Sequence, residues 1–473
     1  MAAIFFGVAQ YWQCTFDLDV SNQNNLTETS MPIRNVTNRL AATLLLVAVA
    51  GFATRLEANT VIEWNQLAGE FVGGPPFSQL RQYAMTHVAM ADAVVAIEGR
   101  YEPFKFELKG SRGASANAAA AQAAHDVLAT FFAAGTPGRA AIDAKLAADL
   151  AAIPPGLRNQ GVAVGKQSAA LVLAWRATDG FAAADPRPPA FPTVPSVLPG
   201  IWVPTASGVA QFSKLGEVVP FGVLSPTQFL PDAMPQLESA EYAADFNEVK
   251  TEGQRPVPFP ATCVGATERH RIALSWAGAA PCTNVTTAFR IWHNVARDMA
   301  QSRQLSLVET ARLFALLTTS QFDSVQTSQT SKFVYRLWRP ETAIANAGAV
   351  GSDPDYDDNP STAGQPGWIP VLTTPPYPSH ASNMQCIGAG GAGTLRRAFG
   401  DDNNFTAKWY LNNTATSPVV REQSYTSFTQ LEVEEGNSRV WGGIHFRFEL
   451  TESIESCEAV AYYIFANKMQ ATN

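Results

Sequence analysis

The residues from Lys332 to Pro340, Lys-Phe-Val-Tyr-Arg-Leu-Trp-Arg-Pro, place two cations seven positions apart and end on a proline. On a continuous helix this spacing covers nearly two turns, so it predicts that Lys332 and Arg339 lie on one stripe. Pro340 disfavours helical backbone at Arg339, so we expect the helix to end there and the guanidinium to reach into a pocket. The alternative is a solvated basic edge of an amphipathic helix.

A second segment, residues 374–385, reads Thr-Pro-Pro-Tyr-Pro-Ser-His-Ala-Ser-Asn-Met-Gln. Its prolines favour an extended chain, and Ser382 is well placed as the N-cap of a helix that runs to Phe399. The first amides of a helix have no intrahelical partners and lie at the positive end of its dipole. This helix start is therefore a candidate oxyanion site, and the alternative is an ordinary capped helix.

A third segment, residues 438–446, reads Ser-Arg-Val-Trp-Gly-Gly-Ile-His-Phe. On a continuous helix Arg439 and His445 would lie about 120° apart. Gly442 and Gly443 permit a break between them, after which both side chains can converge on one site. The alternative for His445 is a hydrogen-bonded histidine of the core.

Composition limits what the chain can do. Its 473 residues are 46% hydrophobic and 16% charged with a formal net charge of -8, which excludes global disorder and argues against nucleic acid as a partner. No glycine-rich phosphate loop with a lysine is found, so no nucleotide cofactor is predicted.

Periodicity and alanine content predict an all-α fold of one or more helical bundles. Alternating strand patterns are scarce. Residues 185–260 are predicted to be a long proline-rich connection with short elements laid over the surface of a bundle, and residues 403–417 to be a polar connector. The predicted helices are Gln82–Ile97, Ala114–Ala134, Ala140–Ala152, Lys166–Ala177, Ala288–Gln301, Leu305–Thr319, Ser382–Phe399 and Thr451–Lys468.

The amino terminus resembles a secretory signal. Two arginines follow Met31, an apolar run covers residues 40–53, and the small Ala58 suits a cleavage site. We expect residues 1–58 to be a leader, with Met31 as the start of translation, and the mature chain to be secreted or periplasmic without a membrane span. Beyond the leader we expect a helical region at 59–260 and a second at 261–473 that carries the site.

Four cysteines follow the leader. Cys263 and Cys282 flank a short segment and could close a loop in an oxidising compartment. Cys386 and Cys457 fall in predicted helices, where buried thiols are expected. None of the four has the spacing of metal ligands.

In order and content the three segments resemble the signature shared by vanadium-dependent haloperoxidases and type 2 phosphatidic acid phosphatases. That signature is a lysine, six residues and Arg-Pro; then Ser-Gly-His; then Ser-Arg, five residues and His. The first and third parts match here without a gap. From about residue 60 onward the chain also resembles the secreted bacterial haloperoxidase-like branch, at Trp64-Asn65, His87 to Val94, Pro220-Phe221, Gln228-Phe229, Asn247 to Lys250, Trp292 to Asn294 and Ala311 to Ala315.

The resemblance implies a bound oxyanion, vanadate or phosphate. Lys332, Arg339 and Arg439 can neutralise its oxygens through charge-assisted hydrogen bonds, and Ser382 with the amide of Asn383 would complete the cradle. His445 is implied to be the vanadium ligand or, in a phosphatase, the nucleophile. Both roles need a neutral ring nitrogen whose tautomer is set by a partner that the sequence does not identify.

The second part of the signature is altered. A gapless alignment places Ser382, Asn383 and Met384 at Ser-Gly-His, and a thioether cannot replace the acid–base histidine in proton transfer. His380, four residues before Met384, could turn its ring toward the same pocket. A rival alignment matches Ser379-His380 to the motif with the glycine deleted. His380 could equally be unrelated to the site.

Three functions remain. The first is an exported haloperoxidase-like enzyme with vanadate as cofactor, which oxidises halide with hydrogen peroxide. The second is an acid phosphatase in which His445 is the nucleophile. The third is a degenerate member that binds an oxyanion without turnover. Each takes small molecules as partners, and a homodimer is compatible with the apolar helical composition.

Overall fold

Helices dominate the part of the chain that the structure describes. The computed structural model describes residues 59–183, 198–205, 210–279, 281–282, 287–348, 355–411 and 417–472. The predicted leader, residues 1–58, lies outside the described residues. Within the described ranges are thirteen α-helices and one two-stranded sheet.

The helices, in chain order, are α1 Thr60–Phe71, α2 Pro76–Glu98, α3 Ala116–Leu128, α4 Pro137–Ala151, α5 Pro155–Ala177, α6 Ala240–Glu252, α7 Glu268–Ala277, α8 Ala288–Ser302, α9 Leu307–Tyr335, α10 Pro340–Asn346, α11 Asn383–Phe399, α12 Phe428–Val440 and α13 Arg447–Asn467. The strands are β1 Asp402–Tyr410 and β2 Val419–Ser427, paired antiparallel between α11 and α12. The all-α prediction is confirmed, with this hairpin as the addition.

Helix α9 is the central element. It packs against α2 from the first half of the chain and against α11 and α13 from the second. The sequence predicts this helix only as far as Thr319, because its second half is rich in Ser, Thr and Gln. Those polar side chains are nevertheless buried. Thr318 and Thr319 donate to the carbonyls of Phe314 and Ala315 one turn earlier, which satisfies their hydroxyls within the helix.

Glycines let α11 approach its neighbours closely, as its Gly388–Gly393 run suggests. A Cβ on Gly390 would lie 2.9 Å from the Ser324 hydroxyl on α9, and one on Gly391 would lie 2.8 Å from the Trp292 ring on α8. No side chain fits at these positions, so α11 packs in close contact with α8 and α9. This packing fixes the position of its first turn.

The largest hydrophobic cluster contains residues from both sides of position 260, such as Trp64 and Val88 together with Trp292 and Leu316. The described residues all belong to one compact unit, Arg55–Asn473. The division at residue 260 stays a prediction. None of the described helices is both long and apolar enough to cross a membrane.

One sequence expectation is wrong, and a second is made specific by the structure. Residues 403–417 are not simply a polar connector, because their first part forms strand β1, in which Ala407 and Trp409 are buried on one face. The proline-rich stretch contains α6, which begins at a Ser239 cap and buries Tyr242 and Phe246. In both places a short apolar pattern lies among polar or proline-rich neighbours that obscure it.

The four described cysteines form two disulfides. Cys263–Cys282 closes the short loop that its spacing allows. Cys386 on α11 and Cys457 on α13 are also bridged, so the expectation of free buried thiols is wrong. The sequence could not show this pairing, because the two cysteines meet only when the two helices pack side by side.

We predict that the α11–α13 bridge contributes more to stability than the loop bridge. The bridged residues are 71 positions apart in the first case and 19 in the second. Loop entropy then predicts losses of about 4 and about 3 kcal/mol in the free energy of unfolding for Cys386→Ala/Cys457→Ala and Cys263→Ala/Cys282→Ala. Denaturant unfolding under oxidising conditions measures both. Reductant should destabilise the wild-type chain, and no effect of reductant would contradict the bridges.

Candidate active site

The second and third sequence segments line one cavity, and Arg339 of the first segment, which is not a lining residue, contacts the lining residue His445. Two breaks in helical structure produce this arrangement. Helix α9 ends at Tyr335, where Arg336 adopts a left-handed conformation with φ of 55°. Arg339 is the extended N-cap residue of α10, as its place before Pro340 predicts. Lys332 and Arg339 therefore do not share a helical stripe, which corrects that prediction. The turn between them brings both side chains to the site.

The second break follows α12. Gly443 has φ of 75°, which favours glycine, and a Cβ there would lie 2.4 Å from the carbonyl oxygen of Gly253. The chain turns sharply at this point, so Arg439 on α12 and His445 after the turn both face the cavity. The predicted interruption at Gly442-Gly443 is confirmed.

The cavity has a volume of about 390 Å³. Its polar end carries Arg439, His445 and Asn383, and Met384 lies beside them. The rest is largely apolar and includes Phe77 and Phe212, whose rings meet edge to face with centroids 4.6 Å apart. The other lining residues are Pro76, Gln211, Ala277, Ala279, Val325, Leu372, Thr373, Pro375, Pro376, Tyr377, Ile387 and Ile444.

His445 is held by Glu449, a residue that the sequence analysis missed. The Glu449 Oε2 lies 2.7 Å from His445 Nδ1, and its Oε1 accepts bonds from the Ser379 hydroxyl at 2.7 Å and the Phe446 amide at 2.9 Å. A carboxylate in this position places the imidazole proton on Nδ1, so Nε2 carries the lone pair. The sequence does show a glutamate four positions after His445. The start of α13 between them determines that its carboxylate reaches the imidazole.

Arg339 contacts the other side of the imidazole. Its Nη1 lies 3.1 Å from His445 Nε2 and donates to the carbonyl of Ile444 at 2.8 Å, while its Nε donates to the carbonyl of Tyr377 at 3.0 Å. Arg339 is fully buried, and its Nη2 has no hydrogen-bond partner. Buried polar groups normally have hydrogen-bond partners, so this guanidinium nitrogen can donate to a bound ligand.

Lys332 and Arg439 complete the set of cations. Lys332 is fully buried and donates to the carbonyls of Ser379, at 2.6 Å, and Ala381. Its ammonium lies 5.4 Å from the centre of the Tyr377 ring, which lines the cavity. Arg439 is buried, lines the cavity itself and donates from Nε to the Ser438 hydroxyl at 2.9 Å.

Burial penalises positive charge on the residues of this pocket. Burial lowers the pKa of His445 to about 3, with Glu449 opposing and Arg339 and Lys332 adding to the shift. Burial and the Arg339 charge lower the pKa of Lys332 well below its usual value, and burial lowers that of Arg439 to about 10. Burial alone would raise the pKa of Glu449, but its His445 hydrogen bond and the nearby cations outweigh that effect and lower it to about 2. At neutral pH the pair is therefore a neutral imidazole beside a carboxylate.

The helix start lies at the polar end of the cavity. Ser382 is the N-cap of α11 and accepts from the amide of Gln385 at 3.3 Å, while its own amide donates to Ser453 at 2.9 Å. The side chain of Asn383 bonds to Ser328 and, at 2.8 Å, to Gln329 on α9. Its side-chain groups are therefore used in packing against α9.

Met384 and His380 lie in different places. Met384 lines the cavity. His380 is fully buried but is not among the lining residues; its Nε2 bonds to the carbonyl of Asp232 at 2.8 Å, and its ring packs against Tyr335 and Phe448. Burial lowers the pKa of His380. In this structure the imidazole is thus outside the cavity that Met384 faces.

Comparisons with known proteins agree on the architecture. Residues 312–473 match the family model described as the VCPO second helical-bundle domain. No curated protein matches in sequence. The matched range, residues 312–473, includes all three segments of the candidate site.

Three solved bacterial structures share the fold. A vanadium-dependent iodoperoxidase is 21% identical with a TM-score of 0.68 and covers 87% of this chain and 96% of its own. A holo-type vanadium-dependent chloroperoxidase is 15% identical with a TM-score of 0.60, covering 86% and 96%. An apo-type chloroperoxidase is 14% identical with a TM-score of 0.57, covering 82% and 94%. Residues 312–473 are therefore similar to the second helical-bundle domain of that family, and the described chain shares the fold of the three solved peroxidases.

Proposed function

We propose that the cavity binds vanadate and that the chain is a haloperoxidase-like enzyme that oxidises halide with hydrogen peroxide. One observation carries the proposal. A neutral imidazole, with its Nδ1 proton held by Glu449 at 2.7 Å, lines the cavity together with Arg439 and accepts at Nε2 from the buried Arg339 at 3.1 Å.

The residues fit an oxyanion. Lys332, Arg339 and Arg439 are buried, and Glu449 is the ionised carboxylate that their pocket shares with His445. Buried charges without enough counter-charge are costly, and Nη2 of Arg339 has no acceptor. A small anion with several oxygens would supply both the charge and the acceptors.

Each residue then has a role. His445 Nε2 would bind vanadium, the three cations would hold the vanadate oxygens, and Ser382 with the backbone amide of Asn383 would donate at the start of α11. When bound, vanadate supplies a Lewis-acid centre that activates hydrogen peroxide for halide oxidation. Glu449 orients the imidazole and keeps Nε2 unprotonated. The apolar walls around Phe77 and Phe212 restrict water near the cations.

Met384 limits this chemistry. Its thioether neither donates nor accepts a proton at the position that the family signature gives to histidine. His380 bonds to Asp232 outside the cavity, so it does not supply the proton in this conformation. We infer that proton transfer relies on solvent and that turnover is slower than it would be with a histidine at position 384.

Phosphate-ester hydrolysis is the second candidate, because the same cradle suits a phosphoryl group and His445 Nε2 is unprotonated. Nε2 could attack phosphorus once Arg339 Nη1, 3.1 Å away, donates to the phosphoryl oxygens instead. In that reaction the Nε2–P bond would form as the P–O bond of the ester breaks, with solvent protonating the leaving oxygen. Water would then cleave the Nε2–P bond and release phosphate. A binding protein without turnover is the third candidate, and Met384 is the residue that favours it.

We also infer export to an oxidising compartment. Two disulfides among the described residues suit such a compartment, and the leader pattern before residue 59 suits the same destination.

We predict that vanadate loading confers halide oxidation. With hydrogen peroxide and iodide or bromide, the vanadate-loaded chain should turn over faster than free vanadate at the same concentration. His445→Ala should fall to the level of free vanadate because the imidazole ligand is gone. His270→Ala, at a half-buried histidine of α7 that does not line the cavity, is the matched control.

The same experiment separates the alternatives. With a chromogenic phosphate ester, vanadate should inhibit a phosphatase by occupying its cradle, and His445→Ala should abolish hydrolysis. If the chain binds vanadate but neither halide oxidation nor ester hydrolysis depends on His445, both enzyme proposals are wrong. The third candidate, a binding protein without turnover, is then the one that stands.

We predict that Glu449→Gln, which preserves shape but removes the charge, lowers vanadate affinity and turnover by about 10- to 100-fold. The neutral amide no longer enforces the Nδ1–H tautomer. Nitrogen chemical shifts of His445 should show a protonated Nδ1 at pH 7 in the wild-type chain and a mixture in the variant. Glu434→Gln, the same change at a glutamate that pairs with Arg421 and does not line the cavity, is the matched control, and an identical loss there would mean a general packing effect.

We predict that Met384→His raises turnover with little change in vanadate affinity, because it adds a proton-transfer group beside a cradle that already exists. Met384→Leu, which keeps the volume without a titratable group, should not. Equal rates for the two variants would show that proton transfer at this position does not limit the reaction. The pH dependence should gain a titration near that of histidine only in Met384→His.

A further inference from the structure

A second cavity, of about 360 Å³, adjoins the oxyanion cavity. The two share Ala279, Leu372 and Thr373 as lining residues, so they are neighbouring spaces divided by one short segment. Among the residues that line the second cavity, Arg255 alone carries a charge. The combination of one cation with apolar walls is typical of a small-molecule site.

Backbone pairing connects Arg255 to the catalytic segment. The Arg255 amide donates to the carbonyl of Ile369 at 2.8 Å. Three residues further along that strand-like segment, the Leu372 amide donates to the carbonyl of Gly442 at 2.9 Å, just before the turn that carries His445. Arg255 and His445 are therefore held by one continuous set of backbone bonds.

A disulfide holds the opposite wall. Cys263–Cys282 ties the segment after Pro260 to the segment of Pro281, and both prolines line the second cavity. The same bridge belongs to the hydrophobic cluster that contains Leu372 and Ile444, the residue before His445. The cavity is thus formed by constrained segments, which favours a preformed site.

The Arg255 guanidinium is available for a ligand. Its central carbon lies 3.9 Å from the centre of the Phe259 ring, so the ring covers one face. The side chain is exposed, and among the described residues no carboxylate pairs with it. Stacking on an aromatic ring orients a guanidinium while leaving its N–H edges free, and those edges match a carboxylate in a two-point contact.

We propose that this second cavity is a subsite for an organic substrate that carries a carboxylate on an aromatic or apolar frame. The carboxylate would bind Arg255, the ring would lie against Pro260 and Val371, and the far end would extend past Leu372 toward the oxyanion cavity. The existence of the subsite stands on the second cavity itself; its role in a reaction rests on the proposed function.

Binding without turnover tests the subsite. The full oxidised chain is titrated calorimetrically with 4-hydroxybenzoate and with 4-hydroxybenzyl alcohol, in the absence of vanadate and peroxide. We expect the acid to bind about tenfold more tightly, as one charge-assisted pair allows. Arg255→Gln should reduce the acid to the affinity of the alcohol, and Phe259→Ala should weaken both. Arg112→Gln, an exposed arginine before α3 that lines neither cavity, is the charge-matched control.

Two results would overturn the proposal. One is equal binding of acid and alcohol, or an acid affinity that Arg255→Gln leaves unchanged. The other is a loss of acid binding in Arg439→Gln but not in Arg255→Gln, which would place the carboxylate in the oxyanion cavity. A separate titration with orthovanadate tests the proposed function: failure to bind vanadate with benzoate binding intact would overturn that function and not the subsite.

Discussion

The costliest feature of this molecule is the burial of Lys332, Arg339 and Arg439 around one imidazole. Glu449, which lies 2.7 Å from His445, is the anionic neighbour of Lys332 and Arg339, whereas the carboxyl group near Arg439 is that of Glu435. A protein interior tolerates such a charge imbalance only where many hydrogen bonds hold the groups in place. Here backbone carbonyls of Ser379, Tyr377 and Ile444 accept from two of the cations, so they stay fixed even without a ligand.

That arrangement depends on interruptions rather than on regular helices. The left-handed turn at Arg336 separates Lys332 from Arg339, and the glycine turn at Gly443 directs His445 back toward Arg439. Close packing of α11 through its glycines places the third element, with the Ser382 cap at the cavity. The first half of the chain contributes Phe77 and Phe212, which makes the cavity apolar above its charged end.

Met384 stands where the gapless alignment with the family signature has histidine. Met384 joins the apolar wall of the cavity, and His380 bonds to Asp232 outside it. In the proposed function, anion binding would depend on residues from three segments and proton transfer on one side chain at the start of α11, so the two are separable. The second cavity beside Leu372 adds a place for an organic group near the same centre.

The sequence by itself determined the helical class and most of the long helices, because alanine-rich and amphipathic segments encode their own conformation. Its resemblance to a family signature also predicted that Lys332, Arg339, Arg439 and His445 belong to one site. It did not reveal α6, the hairpin or the second half of α9, where local patterns are short or polar. Glu449 as the partner of His445, the Cys386–Cys457 bridge and the position of His380 were decided only by the tertiary structure. Each is a contact between separately placed elements or the orientation of one side chain, and packing alone determines which groups face each other.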